Sequence, residues 1–600
     1  MPSVIYRLKR SFTAGELSPL MLFRTENDRY KYGCRQLKNM VVLPQGPAKR
    51  REGFEYKFDL TTLVGDALPD EAPIMIPFVF DKDQAYAIIL FNHTESEVVD
   101  TRAVFATGDG LLEDPEDPGN PYVFSFTGAM DLPNLVYKQS KDIVYIAQPD
   151  RIQIELKRLA EAEWSANEIA FTDQPSDWSE ENGYPQFVDF FEQRIVYGCT
   201  WKRPQTLWFS KSADFYDFGV SSPVVDSDAV TLTLGTTQNR MRWTNAAKQL
   251  LVGTLGDEWS VSGSGYQPLS FESNKMSRET NVGSEKIPSL MIGPVTLYVE
   301  RHGRKVNQFV YDFNSDTYDS VDLSVLAPHL TESNYITNWC YQQSPYGIVW
   351  CTRDDGKAIA LTFKREHRVT GWHVHDTDGK FLKLCSIPGD REDDVWAIIE
   401  REINGYTKWY LEKKRPEFKS DSALDAYFLD SCVVLDSEEY ITTISNLGHL
   451  EGKTVSILAD GCVVADQVVV NGQITLDIPA KRVVIGLPYD SIIEPILLDI
   501  GLDDGTSLGR ISRIIELNIM LHNSLLFEYG HYNTYGEAAF EEKSFRDTSD
   551  ITGQQMPLFT GYKSVDFQEG YDSDERVIIR QRRPLPLTVV GLCDVVEVTE

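Results

Sequence analysis

GIVWCTRDDGKAIALTFKREHRVTGWHVHD, residues 347–376, holds short runs of β-branched and aromatic residues separated by Asp, Gly and charged side chains. Runs of this kind between turn formers read as β-strands, and they lack the 3.6-residue period of an amphipathic helix. The leading core, GIVWCT around Val349, has counterparts along the chain: AYAIIL around Ala87, DIVYIA around Val144, RIVYGC around Val196, LLVGTL around Val252, VTLYVE around Leu297 and VWAIIE around Ala397. Successive anchors lie 57, 52, 56, 45, 52 and 48 residues apart. Most are followed by a turn and a second strand, often aromatic, as in QTLWFSKSADFYDFG (205–219) and TKWYLEKKR (407–415). Four short strands fit into about 50 residues, the size of a propeller blade. The repeat predicts a mainly β protein whose residues 59–425 form a β-propeller-like body of six to eight blades. The alternative is an unrepeated stack of β-sandwiches.

Beyond this body the texture changes. GKTVSILADGCVVADQVVVNGQITLDIPAKRVVIGLPYDS (452–491) carries two hairpin signals, Asp460-Gly461 and Asn471-Gly472, both able to supply the positive φ of a tight turn. Residues 426–600 are therefore expected to form a C-terminal β-barrel or sandwich-like domain. Its last apolar run adds a strand to a sheet in its own or a neighbouring subunit. A loop-rich stretch is expected from about 531 to 570.

Residues 1–58 stand apart by charge. Through Glu55 there are eleven Lys/Arg and five Asp/Glu, a balance of +6, in a chain whose total is −32; the rest therefore sums to −38. A protein that holds DNA by neutralising phosphates would carry a basic stripe on its body. Here the body is acidic and the head basic. Solubility alone is one explanation; a surface that DNA passes without adhering is the other. No apolar stretch approaches the ~20 residues of a membrane-spanning helix. The eight cysteines form no CxxC pair, so neither a zinc cage nor a disulfide framework is indicated, and a reducing place of synthesis follows.

Chemistry-bearing candidates are sparse. His373 and His375, at i and i+2 on one strand, share a face and form the sharpest metal pair, but no third ligand is evident nearby, and exposed strand histidines are the plainer reading. The acidic run at 108–121 lacks the ligand spacing of a calcium loop. SGSGYQ (262–267) lacks the third glycine of a dinucleotide site. No nucleophile–base set declares itself, so no catalytic residue and no cofactor is assigned.

SFTAGELSPLMLFRTENDRYKYGCRQLKNMVVLPQGPAKRREG (11–53) resembles the opening signature of the tail nozzle, or tail tubular protein B-like, proteins of short-tailed bacteriophages, also known as phage stabilisation proteins. The matching positions are Phe12, Gly15, Glu16, Leu17, Ser18, Pro19, Arg24, Tyr30, Gly33, Pro44, Gly46, Arg50 and Arg51. Where that family more often has a second Gly and Arg-Pro-Gly, this chain has Pro47 and Arg51-Glu52-Gly53. Further likeness runs through 250–263, 292–313, 321–330, 371–380, 449–461 and 580–590.

The resemblance implies a structural virion protein rather than an enzyme. It would be made in the host cytoplasm and located in the phage tail, as a ring of usually six subunits below the portal and its adaptor. Double-stranded DNA would leave through the ring without specific binding, and tail fibres or tailspikes would be further partners. On that reading residues 1–58 are a docking segment. Phe12 and Leu17 are its apolar anchors. Arg7, Lys9, Arg10, Lys49, Arg50 and Arg51 meet an acidic partner surface, and Glu16 and Arg24 belong to the same segment. The competing readings are a propeller-type tail enzyme that degrades polysaccharide and a host receptor-binding module.

Overall fold

Every one of the seven sequence anchors falls on the second strand of a sheet module: 85–95, 143–148, 194–198, 250–254, 295–299, 348–353 and 393–403. Ala87, Val144, Val252, Leu297, Val349 and Ala397 are wholly buried there, and Val196 nearly so. The computed structural model describes residues 3–598 except 66–67, 70, 96–97, 109, 236–238, 266, 315, 497–498, 500, 503–504, 533–537, 547–554, 568–569 and 573–575. Among the described residues there is no α-helix, only strands, turns and short 3-10 segments. Among the described residues no helix is long and apolar enough to cross a membrane.

The chain divides into two compact units: one of residues 1–60, 341–384 and 392–600, the other of residues 61–340 and 385–391. The second contains five successive antiparallel meanders. They comprise strands 74–79, 85–95, 98–107, 110–111 and 123–125; 136–140, 143–148, 151–160 and 163–168; 187–191, 194–198, 206–209 and 230–233; 241–246, 250–254, 258–262 and 275–280; and 290–292, 295–299, 306–312 and 317–322. Apolar clusters lie between consecutive sheets. Phe105 of the first packs with Trp164 of the second, Tyr145 of the second with Trp208 of the third, Leu207 of the third with Val252 of the fourth, and Trp243 of the fourth with Tyr298 of the fifth. A strand buried on both faces reads as a continuous apolar run, which is why the second strands stood out. This sheet-on-sheet succession of one five-stranded and four four-stranded meanders makes the fold β-propeller-like.

The other unit holds two further modules, 348–353, 358–364 and 369–375, then 393–403 and 406–414. The latter gains its neighbouring strand from the N-terminal segment: Phe54–Asp59 pairs antiparallel with 410–414. Residues 454–459, 462–468 and 474–487 form the expected hairpins, with positive φ at Asp460, Gly461, Asn471 and Gly472. The last strand, Thr588–Val598, lies inside a sheet of its own chain, against 512–524 on one side and against 3–9 and 48–50 on the other. Of the stretch expected to be loop-rich, the described part contains strands at 538–543 and 559–566; residues 533–537, 547–554 and 568–569 lie outside the described residues.

The three-part division into 1–58, 59–425 and 426–600 is therefore corrected. The N-terminal segment and the C-terminal third belong to one unit. Its centre is a pair of fully buried arginines. Arg51 makes a bidentate pair with Asp430, both Nη–Oδ distances 2.7 Å. Its Nε donates to Asn39 Oδ1 at 3.1 Å, and its guanidinium lies 3.8 Å from the Tyr489 ring centroid. Arg50 donates to the carbonyls of Leu585 (2.9 Å), Tyr489 (3.0 Å) and Arg583, and to Ser491 Oγ (3.1 Å). Lys49 bridges Glu52 (2.9 Å) and Glu417 (3.2 Å), and Lys414 also reaches Glu52 at 3.2 Å. Burial would raise the Glu52 carboxyl, but these two lysines bring it down to about 2.

Removing one partner of a buried ion pair strands the other charge, at a cost of about 3–5 kcal/mol. Arg51→Ala is expected to destabilise this unit by that amount in urea unfolding. Arg51→Met with Asp430→Leu should recover part of the loss, because neither charge is then left alone. An Arg51→Ala protein as stable as the parent would contradict the assignment.

Candidate functional site

The segment expected to dock is laid down as structure from its first strand. Ser3–Lys9 pairs antiparallel with 592–598, from Ser3↔Val598 to Lys9↔Leu592. Strand alternation turns Arg7 and Lys9 inward and leaves Val4, Tyr6 and Leu8 at 53 %, 69 % and 51 % exposure. Arg7 pairs with Asp594 at 2.5 Å. Lys9 donates to the Gly33 carbonyl, and burial pushes its ammonium down to about 8. Phe12 is wholly buried in a cluster with Cys34, Leu37 and Val589. Gly15, at φ +65°, pairs with Gly33 and Trp372; a Cβ there would lie 2.3 Å from the Trp372 backbone nitrogen, so only glycine fits. The Glu16 carboxylate accepts the Leu37 backbone N–H at 2.8 Å, and Leu17 is buried.

The expected basic clamp is thus corrected for most of its members. Arg7, Lys9, Lys49, Arg50 and Arg51 are engaged inside the unit, and Phe12, Glu16 and Leu17 are internal packing and hydrogen-bonding groups. Only Arg10 and Arg24 of the ten candidates are exposed. Charge counted along the sequence does not reveal which cations meet Asp430, Asp594, Glu52 or Glu417 across the fold.

What the segment does present was missed. Pro19–Met21 is a 3-10 turn capped by Ser18, whose Oγ accepts the Leu20 N–H at 3.2 Å while its carbonyl accepts the Met21 N–H at 2.8 Å. Tyr30 Oη donates to the Leu22 carbonyl at 2.7 Å and fixes the far side. Met21 points into the core. Leu20 and Phe23 face solvent at 87 % and 75 % exposure, beside Arg24, which pairs with Glu26 at 2.9 Å. The signal lay in the apolar LMLF that follows a Ser-Pro start, where one tight turn cannot bury every side chain. Covering a leucine or phenylalanine on docking is worth about 1.5–3 kcal/mol each.

The histidine pair is buried, not exposed as expected: His373 is at 0 % and His375 at 1 %. Thr362 Oγ1 donates to the Val42 carbonyl at 2.8 Å. It therefore accepts from His373 Nε2 at 3.1 Å, which leaves His373 Nδ1 to accept from His375 Nε2 at 2.6 Å. His375 Nδ1 ends the chain as a buried acceptor without a hydrogen-bond partner. Burial lowers the His373 imidazolium to about 3. For His375, burial, then the charges of His373, Arg51 and Lys414, push it well below the usual imidazole range. Among the described residues no group of three or more His, Cys, Asp or Glu is placed to hold a metal ion.

No known protein family matches the chain, and no curated protein does. Solved structures give partial likenesses. A chain of the mitotic checkpoint complex covers 54 % of this chain and 85 % of its own length at 6 % identity and a TM-score of 0.30. A luciferin-regenerating enzyme covers 47 % and 90 % at 9 % identity and 0.27. An auxiliary nutrient binding protein from Bacteroides thetaiotaomicron covers 53 % and 83 % at 8 % identity and 0.30. Likenesses this distant do not bear on what the chain does.

Unfolded histidines take up a proton near pH 6.5, whereas folded His373 stays neutral down to about pH 3. The pair's contribution to stability is complete above pH 6.5 and is lost as the pH falls below it, at about 1.4 kcal/mol per pH unit for each ring. Urea unfolding between pH 6.5 and 5 should be steeper in pH for the parent than for His373→Gln/His375→Gln. Equal slopes would contradict neutral burial.

Proposed function

We propose that this chain is a structural subunit of the tail nozzle of a short-tailed phage, assembling as a ring beneath the portal adaptor around the path of the DNA. The observation that carries the reading is the rigid apolar knob Leu20–Phe23, held by Ser18 and Tyr30, within the stretch that resembles the nozzle family. A monomer gains nothing from holding two large apolar side chains in water on a fixed turn. A ring does, because heterologous contacts need a projecting patch on one subunit and a receiving patch on the next.

Two further features fit. Strand 3–9 pairs on one side only among the described residues and turns Val4, Tyr6 and Leu8 outward, the disposition of an edge that a partner covers. The −38 balance beyond residue 55 opposes adhesion of DNA, which carries one charge per about 1.7 Å of axis. The portal adaptor and tail fibres or tailspikes are the further partners of this reading, and the phage virion its location.

Leu20→Asp/Phe23→Asp tests it. Exposed substitutions change stability by about 0.5 kcal/mol or less, so thermal unfolding should hold. Loss of two buried anchors should weaken ring formation at least a hundredfold, at about 1.4 kcal/mol per tenfold. Light scattering and negative-stain images of the chain with its portal adaptor read both. Intact rings from the variant, or a monomeric parent under the same conditions, would refute the proposal.

A further inference from the structure

Four strands of one sheet lie side by side in the order Ser3–Lys9, Thr588–Val598, Ser512–Ser524 and Phe559–Asp566, each antiparallel to the next. Among the described residues neither 3–9 nor 559–566 pairs with any further strand, and the hairpin 40–42/48–50 meets the last strand only at 588–589. The sheet thus has two open edges, each a row of backbone groups that another chain can complete. Neither edge contains proline. Because four strands separate into two of each direction, the two edges run oppositely. A second copy in the same orientation therefore brings its 3–9 against 559–566 antiparallel, and the alternation continues across the join.

The faces agree as well. Residues opposite one another in an antiparallel pair share a face. The register runs from Leu8 through Cys593 and Asn518 to Ser564, and from Tyr6 through Val595 and Glu516 to Asp566. On that face Val4, Tyr6 and Leu8 are exposed at one edge, and Thr560, Tyr562 (72 %) and Ser564 at the other. On the opposite face one apolar cluster reaches both edges, where Ile5 and Phe559 are only half-buried. Joining the edges would cover both.

Length then sets the register. The first strand has seven residues and the receiving edge eight, so complete overlap allows two registers, and a shift of one residue exchanges the faces. Only the register from Ser3 opposite Val565 to Lys9 opposite Phe559 keeps Val4, Tyr6 and Leu8 on the face of Tyr562. It sets Tyr6 opposite Tyr562, Arg7 opposite Gly561 and Ile5 opposite Lys563, so no like charges meet. Arg7 and Lys9 already have their partners in Asp594 and the Gly33 carbonyl.

We propose that strand 3–9 of one copy of this chain adds to edge 559–566 of the next, with Tyr6 opposite Tyr562. The contact is heterologous: each copy keeps one edge of each kind for a further neighbour, which is what a closed ring needs. The inference rests on the reading of the chain as a ring subunit and gives that ring a contact in addition to the knob.

Disulfide trapping of the full chain, assembled with its portal adaptor, tests it. Within one copy positions 6 and 562 lie at least three strand spacings apart, roughly 14 Å, beyond the ~7 Å span of a disulfide. Only a join between copies can link them. Expressed together and oxidised with diamide, Tyr6→Cys and Tyr562→Cys should give a reducible dimer at least tenfold above either variant alone or the parent, whose eight cysteines set the background. Tyr6→Cys/Tyr562→Cys should give a ladder of multimers, and Tyr6→Cys with Lys563→Cys only background. Dimers from Tyr6→Cys alone would mean that 3–9 pairs with itself, and trapping through Lys563→Cys as strong as through Tyr562→Cys would overturn the register. Rings in negative-stain images with cross-linking at background would overturn the strand pairing and leave the ring standing. Neither rings nor cross-links would overturn both.

Discussion

Two adjacent guanidinium groups removed from water, Arg50 and Arg51, set the terms for one whole unit of this protein. Burying a charge costs several kcal/mol unless partners replace the lost hydration, and here the replacements come from far along the chain. Asp430, Asn39 and the Asp376 carbonyl receive Arg51, while residues 489, 491, 583 and 585 receive Arg50. Such a pair adds little net stability over an apolar core. It does penalise any arrangement in which those remote segments fail to converge, and so specifies the register in which the first sixty residues join segments between 376 and 585. The Lys49–Glu52–Lys414 bridge beside it works the same way.

The consequence for function is a change of surface. A basic leader whose charges are internally compensated does not serve as a free electrostatic clamp. The same leader, held rigid by those charges and by Phe12 and Gly15, holds a short capped turn at fixed orientation. Rigidity matters because an anchor already ordered before binding loses less conformational entropy on docking. On the proposed reading Leu20 and Phe23 are such anchors, whereas a flexible arm with the same residues would hold a partner less tightly.

Much of the architecture was legible because its signal is local. A second strand buried on both faces must be apolar throughout, so AYAIIL or GIVWCT announces itself, and the spacing follows from the length of a four-stranded meander. The Asp460-Gly461 and Asn471-Gly472 turns were readable for the same reason, and so was the shared face of His373 and His375. Their burial was not, since it depends on Thr362 and Val42 arriving from other strands. Nor was the fate of the N-terminal cations: the counter-charge of Arg7 lies 587 positions away and that of Arg51 379. Phe54–Asp59, which reads as the end of a leader, is a partner of strand 406–414, a pairing that composition does not encode.

The central claim, that the leader is an integral part of its unit and not a detachable arm, is tested most directly by native-state hydrogen exchange across residues 3–59. The account predicts that the ladder-bonded amides of 3–9, 33–38 and 54–59 exchange only with the global opening that also releases 588–598, because their partners, 592–598, 492–495 and 410–414, are strands of the same unit. Exchange of 3–59 at the rate of an unstructured peptide, with 588–598 still protected, would contradict it.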